Sequence, residues 1–373
     1  MKKEKNKFYS LKNILSKNAD YNIIFGERSN GKTFAALEYA LTEFVLRGTQ
    51  TAYIRRWQED LIKKRAESLF SGHVQTGLIE KLTDGKYNSV VYNSRKWFLS
   101  YYDSETGKQN PSEIPFCFGF ALSESEHDKS TSFPNVTTII FDEFLTRKYY
   151  LPDEFMLFMN VLSTIIRQRD NVKIFMLGNT VNKFCPYFSE MGLKNIPIQQ
   201  QGTIDIYKFG ADGANGAVVA VEYAATTNEK KDSNKYFCFD NKNLQMITSG
   251  KWEFAIYPHL PEKYRPKDVI FIFYIVFNES VLQCNIINTS ESEFIYIHPK
   301  TTPIKENETT LIYSLEPKAK PNYKRRLLSN LTPIEKKITT FFAKDKVFYQ
   351  SNEVGEIVRN YIKVSNVNNL LQS

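Results

Sequence analysis

The chain has 373 residues, 42% of them hydrophobic and 24% charged, with a formal net charge of +8. That composition excludes an intrinsically disordered or fibrous chain, and no apolar run reaches the ~20 residues a membrane-spanning helix needs. The length allows two domains, or one large domain with an appendage, and the basic balance suits a polyanionic partner.

Cys117, Cys185, Cys238 and Cys284 lie far apart with no C-x-x-C spacing, and the four histidines do not cluster. The sequence therefore predicts reduced thiols and no zinc site. The start, Met1 to Lys7, is basic but has no apolar segment behind it, so a signal peptide is not expected and a cytoplasmic location is. Residues 1 to about 20 read as a basic arm and a short amphipathic helix.

Gly26-Glu27-Arg28-Ser29-Asn30-Gly31-Lys32-Thr33 fits the phosphate-loop pattern G-x-x-x-x-G-K-[ST] at every fixed position. Tyr21 to Phe25 reads as a buried strand entering the loop, and Phe34 to Leu46 as a helix leaving it. Gly26 and Gly31 free the backbone so that its N–H groups can turn to a phosphate. The helix N-terminus adds partial positive charge there. Lys32 would reach the β/γ-phosphates and Thr33 would offer its hydroxyl to Mg²⁺; with Arg28, these residues form the expected nucleotide site.

After Gly48, Gln50 to Arg56 reads as a second strand. Arg55 and Arg56 fall at its carboxyl end, where ligands bind in open α/β sheets, open to facing nucleotide, a neighbouring subunit or DNA. Residues 57–130 read as a less regular insertion, with hairpin strands Ser89 to Tyr92 and Lys96 to Tyr102 between turn signals. Thr137 to Phe141 then forms a β-branched, apolar strand delivering Asp142 and Glu143. This is the Walker B pattern. Asp142 would hold Mg²⁺ and Glu143 would orient or deprotonate the attacking water.

Residues 152–168 read as a helix with Pro152 in its first turn, closing on Arg167-Gln168-Arg169. Val172 to Leu177 follows as a buried strand, and Asn179 stands past its tip, where a γ-phosphate sensor sits beside Walker B. Residues 201–225 hold a further β segment, with Ala217 to Tyr223 as strand. The polar run Thr226 to Asp232 marks a boundary, and 233 to about 262 reads as a linker module. Strands Val269 to Phe277, Val281 to Ile287, Phe294 to Ile297 and Thr310 to Leu315 come next. Helices around 333–342 and 352–361 end the chain, and Lys318 to Arg326 gathers basic residues.

Several runs together carry a family resemblance. They are Gly26-x-Arg28-x-x-Gly31-Lys32-Thr33, Tyr53-Ile54-Arg55-Arg56, Phe133-Pro134-Asn135-Val136-x-Thr138-Ile139-Ile140-Phe141-Asp142-Glu143-Phe144, Arg167-x-Arg169, and Gly178-Asn179-Thr180 with Pro186-Tyr187-Phe188. The set resembles the DNA-packaging ATPase, or encapsidation protein, of small protein-primed tailed phages. The resemblance is dense over residues 20–190 and weaker beyond.

It implies an α/β fold. A P-loop ATPase domain of the ASCE division would span 1–225 and a small linker domain 226–262. A ribonuclease-H-like α+β domain that has lost its nuclease metal site would span 263–373. Val269 to Phe277 contains no carboxylate, in keeping with that loss. The resemblance further implies ATP and Mg²⁺, and a homomeric, pentameric ring on the portal of an empty procapsid, driving double-stranded DNA inward. Arg167 would act as an arginine finger on a neighbour's ATP, and Lys129 would stand at the same interface. Some members use a phage-encoded structural RNA. The place of action would be the host cytoplasm, transiently at the portal vertex, and not the mature virion. The rival readings are a terminase with an active nuclease, and a nucleotide-regulated nucleic-acid-binding assembly protein.

Overall fold

The computed structural model describes residues 9–124, 132–146, 150–151, 153–179, 185–196, 198–210, 216–225, 257–260, 263–277, 280–316 and 318–366. It divides into two compact units, Met1–Trp252 and Glu253–Ser373. Of the linker expected over 226–262, only 257–260 fall among the described residues. Lys129, Pro152 and Thr180 also lie outside them.

The first unit is built on one sheet. Its strands in chain order are β1 (Tyr21–Gly26), β2 (Gln50–Arg55), β3 (Ser89–Asn93), β4 (Lys96–Tyr102), β5 (Gln109–Pro111), β6 (Cys117–Ala121), β7 (Val136–Asp142), β8 (Lys173–Asn179), β9 (Ile204–Lys208) and β10 (Val218–Tyr223). The order across the sheet is β3-β4-β6-β2-β7-β8-β1-β10-β9, with β5 on β4. The six strands from β6 to β10 run parallel. Such strands are buried on both faces, which explains why β1, β7 and β8 read as unbroken apolar runs.

Successive residues of these strands feed opposite layers. Ile23, Phe25, Ile139, Phe141 and Met176 pack on one face with Phe158, Val161, Leu162 and Ile165 of the Glu154–Ile166 helix. Ile24, Ile140, Phe175 and Leu177 pack on the other with Ala36, Leu37, Ala40 and Leu41 of the Lys32–Arg47 helix. In that order β8 lies between the loop strand β1 and the acidic strand β7, so Asn179 reaches the sheet edge between them.

The described part of the 57–130 segment, 57–124, is more regular than its sequence suggests. The β3–β4 hairpin joins the main sheet through β6, a strand the sequence reading leaves out. Within β6, Gly119 is there for space. A Cβ would come within 3.2 Å of the Trp97 ring and 3.3 Å of Leu61. The helix expected over 152–168 spans Glu154–Ile166, and Arg167 and Gln168 turn out of it with φ of 43° and 65°.

In the second unit the strands are β11 (Val269–Phe277), β12 (Ser280–Asn288), β13 (Glu293–Pro299), β14 (Ile312–Ser314), β15 (Tyr323–Lys324) and β16 (Val347–Tyr349), ordered β15-β14-β11-β12-β13-β16. β11, β12 and β13 are antiparallel, whereas β14, β15 and β16 add in parallel. The helices Pro333–Ala343 and Asn352–Asn366 supply the buried Ile338, Phe341, Ile357 and Val358. Thr332 caps the first of them, accepting from the Glu335 N–H while its hydroxyl donates to the Glu335 carboxylate at 2.6 Å. The result is a mixed α+β unit, in keeping with the fold class read from the sequence.

Candidate functional site

At the carboxyl edge of the first sheet, β1 runs into the Gly26–Thr33 loop. Gly31 closes the loop in the left-handed region, with φ of 94°, and starts the Lys32–Arg47 helix. Lys32 folds back over its own loop. Its Nζ donates to the Glu27 carbonyl at 2.6 Å, to Asn30 Oδ1 at 3.1 Å and to Asn179 Oδ1 at 3.4 Å. Burial pulls its ammonium down to about 8, with Asp142 and Glu27 opposing. Asn30 Oδ1 also accepts from the Lys32 N–H, and its Nδ2 is buried with no acceptor. A buried cation and an orphaned donor in one loop favour an anionic ligand.

β7 brings the acidic pair to the same edge. Asp142 is buried, and Glu143 turns out with φ of 58° and a side chain 54% exposed. Every oxygen of Asp142 is engaged. Oδ1 accepts from the Thr33 hydroxyl at 3.1 Å and the Glu143 N–H at 3.0 Å. Oδ2 accepts from the Tyr53 hydroxyl at 2.9 Å and lies 3.5 Å from the Arg55 guanidinium. Burial raises the Asp142 pKa, and Arg55 and Tyr53 hold it back.

Arg55, the last residue of β2, and Arg56, just past it, part company, because adjacent residues of an extended chain face opposite sides. Arg55 joins the site, donating to Glu143 Oε2 at 2.8 Å and to Asp60 at 3.1 Å. Arg56 points into the core. Its guanidinium meets the Glu154 carboxylate at 2.7 and 2.9 Å, bonds the carbonyls of Glu143 and Phe144, and lies over the Tyr150 ring. Arg56 is therefore structural rather than a ligand contact: it fixes the chain just past the acidic pair. Arg169 is structural too, donating to the carbonyls of Phe133, Pro134, Val136, Ile165 and Ile166.

A cavity of about 340 Å³ opens between the loop, the acidic pair and Asn179, with exposed Arg28 at its rim. Magnesium is usually held by one or two carboxylates plus substrate phosphates rather than by an all-protein cage. Thr33 and Asp142 offer one hydroxyl and one carboxylate beside Lys32 and the loop N–H groups. The donor set thus fits a nucleotide phosphate carrying a divalent cation. Among the described residues no group of three or more His, Cys, Asp or Glu side chains gathers elsewhere for a metal.

Arg167 is not part of this cavity. It lines a separate one of about 920 Å³ with Tyr21, the first residue of β1. β1 is six residues long, so the opposite edges of the sheet lie roughly 20 Å apart. The sequence reading missed Tyr53, Asp60 and the Asn30 amide. The alternation of Tyr53 with Arg55 along β2 was the only available hint for the first; Asp60 and Asn30 gave none.

Comparison with known proteins gives a consistent picture. The profile of the family described as podovirus DNA encapsidation protein (Gp16) matches residues 3–199. The DNA packaging proteins of Bacillus phages PZA and phi29 are each 30% identical over 188 residues, half of this chain and half of theirs. The match therefore spans about half the length of these curated relatives. A structure of the bacteriophage phi29 genome packaging motor assembly aligns over 97% of this chain and 100% of its own, with a TM-score of 0.57 at 21% identity. A phi28 gp11 packaging motor structure gives 0.58 at 17% identity, over 97% and 99% of the two chains. At those identities the structures speak for the fold, across both units.

Proposed function

The chain belongs to the podovirus DNA encapsidation protein family, and from that premise we propose that it is an ATP-driven translocase that packages double-stranded DNA into a procapsid. The observation that carries this reading is the convergence of Lys32, Thr33, Asp142, Glu143 and Asn179 on one cavity. Lys32 and the loop N–H groups would bind the phosphates. Thr33 and Asp142 would hold Mg²⁺, which neutralises charge on the phosphate oxygens when bound. Glu143 would take a proton from the attacking water, and Asn179, already bonded to Lys32, would read the terminal phosphate. Glu143 is paired with Arg55 at 2.8 Å.

The protein would act as a ring, pentameric as the sequence resemblance implies, on the portal vertex in the host cell. Double-stranded DNA, the portal and, in some members, a structural RNA would be its partners. Arg167 is exposed at the far edge of the sheet from its own loop, a place from which it would serve a neighbour's nucleotide rather than its own. Lys129 would join it at that interface. The domains would be the ATPase over 1–225, the linker over 226–262 and a nuclease-like domain without its metal site over 263–373. Asp268, the acid that precedes β11, bonds the Arg265 N–H at 2.7 Å.

The ring is tested by mixing Arg167→Ala subunits with Glu143→Gln subunits, each nearly inactive alone. ATP turnover should rise above that of either variant, because an Arg167→Ala site can take its arginine from a Glu143→Gln neighbour. A mixture no more active than its parts would mean that each subunit hydrolyses alone. Removal of an arginine finger costs ~10³–10⁵-fold in turnover at the affected site.

A further inference from the structure

Oδ1 and Oδ2 of Asp142 divide their contacts. Oδ1 accepts from the hydroxyl of Thr33, the other residue that would hold the cation. Oδ2 is gripped from behind by the Tyr53 hydroxyl at 2.9 Å. Arg55 touches the same oxygen at 3.5 Å, but it also serves Glu143 and Asp60 and can be drawn away by either. Tyr53 has no such freedom. It is 4% exposed, and its ring meets Trp97 edge-on, with centroids 5.9 Å apart. Trp97 is in turn fixed by its indole N–H, which donates to the Ala66 carbonyl at 2.8 Å, and by the Tyr92 ring, 4.7 Å away. The insertion thus forms a rigid aromatic wall behind the carboxylate, and one hydroxyl passes that rigidity to the acid.

We propose that Tyr53 is a positioning residue that fixes the rotation of the Asp142 carboxylate and so sets the divalent-cation affinity of the nucleotide site. The inference rests on the nucleotide-site reading above. It gives the otherwise unexplained Tyr53-x-Arg55 pair a division of labour: a fixed bond from the tyrosine and a movable one from the arginine. Hydrogen-bond partners behind a metal ligand typically carry ~10–100-fold in metal affinity.

The test measures free Mn²⁺ by electron paramagnetic resonance in the presence of ADP, for the full-length wild type and Tyr53→Phe. The phenylalanine keeps the ring against Trp97. Mn²⁺ affinity should fall ~10–100-fold, while ADP binding in EDTA stays at the wild-type level. The Mg²⁺ concentration for half-maximal ATP turnover should rise, and saturating Mg²⁺ should restore the rate. Trp97→Phe loosens the wall but keeps the hydroxyl, so it should lower the melting temperature and retain Mn²⁺. Equal Mn²⁺ affinity in Tyr53→Phe and wild type would overturn the proposal, as would loss of ADP binding in EDTA, or a Trp97→Phe defect as large as that of Tyr53→Phe. Wild type that holds neither ADP nor Mn²⁺ would instead sink the nucleotide site itself, and the proposal with it.

Discussion

Glu143→Gln should lower steady-state ATP turnover by ~10²–10⁴-fold, the usual contribution of a positioned base, and leave nucleotide binding intact. The substitution keeps the shape of the side chain and removes only its capacity to accept a proton. Glu143 is suited to that role by its position. It lies one residue beyond the buried Asp142, in a left-handed turn that swings its side chain to the rim of the cavity. Its neighbour cannot substitute for it, since both oxygens of Asp142 are already bonded. Single-turnover kinetics with radiolabelled ATP, alongside equilibrium ADP binding, separates chemistry from affinity. A variant that turns over at the wild-type rate would move the base elsewhere. A variant that loses ADP binding would make the glutamate a structural residue.

Glu154→Ala should bring the largest loss of stability. Its side chain has no exposed surface and accepts two bonds from Arg56, one from the Tyr187 hydroxyl at 2.8 Å and one from the Leu151 N–H at 2.7 Å. Truncation strands the buried Arg56 charge, and breaking a buried pair from one side costs roughly 3–5 kcal/mol. For a unit of this size that is a drop in melting temperature of roughly 10 °C. Because Arg56 also bonds the Glu143 and Phe144 carbonyls, turnover should fall along with stability. Glu154→Gln retains the shape and some of the bonds and should be milder. Calorimetry checks both; an unchanged first transition in Glu154→Ala would mean that Arg56 finds water or another acceptor.

The loop and the acidic pair were legible because their chemistry is local. Eight consecutive residues carry the phosphate loop, and one strand carries Asp142 and Glu143. The Pro333–Ala343 and Asn352–Asn366 helices were legible for a similar reason, since the spacing of their apolar residues needs no long-range information. What the sequence could not resolve was facing. Arg55 and Arg56 are adjacent and identical, and only the layers above and below β2 decide which enters the site and which is buried against Glu154, 98 residues away. The Tyr53 bond to Asp142 spans 89 residues, and its one local signal is the alternation of Tyr53 with Arg55. β6 was left out, and only the fold shows Gly119 packed closely against Trp97. Arg167 and Arg169 were paired in the sequence, but the structure gives Arg169 five backbone carbonyls and leaves Arg167 exposed at the sheet edge.

The most direct measurement of the central claim is steady-state ATP hydrolysis by the wild-type protein with and without double-stranded DNA. A translocase that couples hydrolysis to its track should turn over faster when DNA is present, and the stimulation should vanish in Glu143→Gln. Turnover that is the same with and without DNA would contradict the account. It would leave a nucleotide-hydrolysing subunit with no coupling to the substrate it is proposed to move.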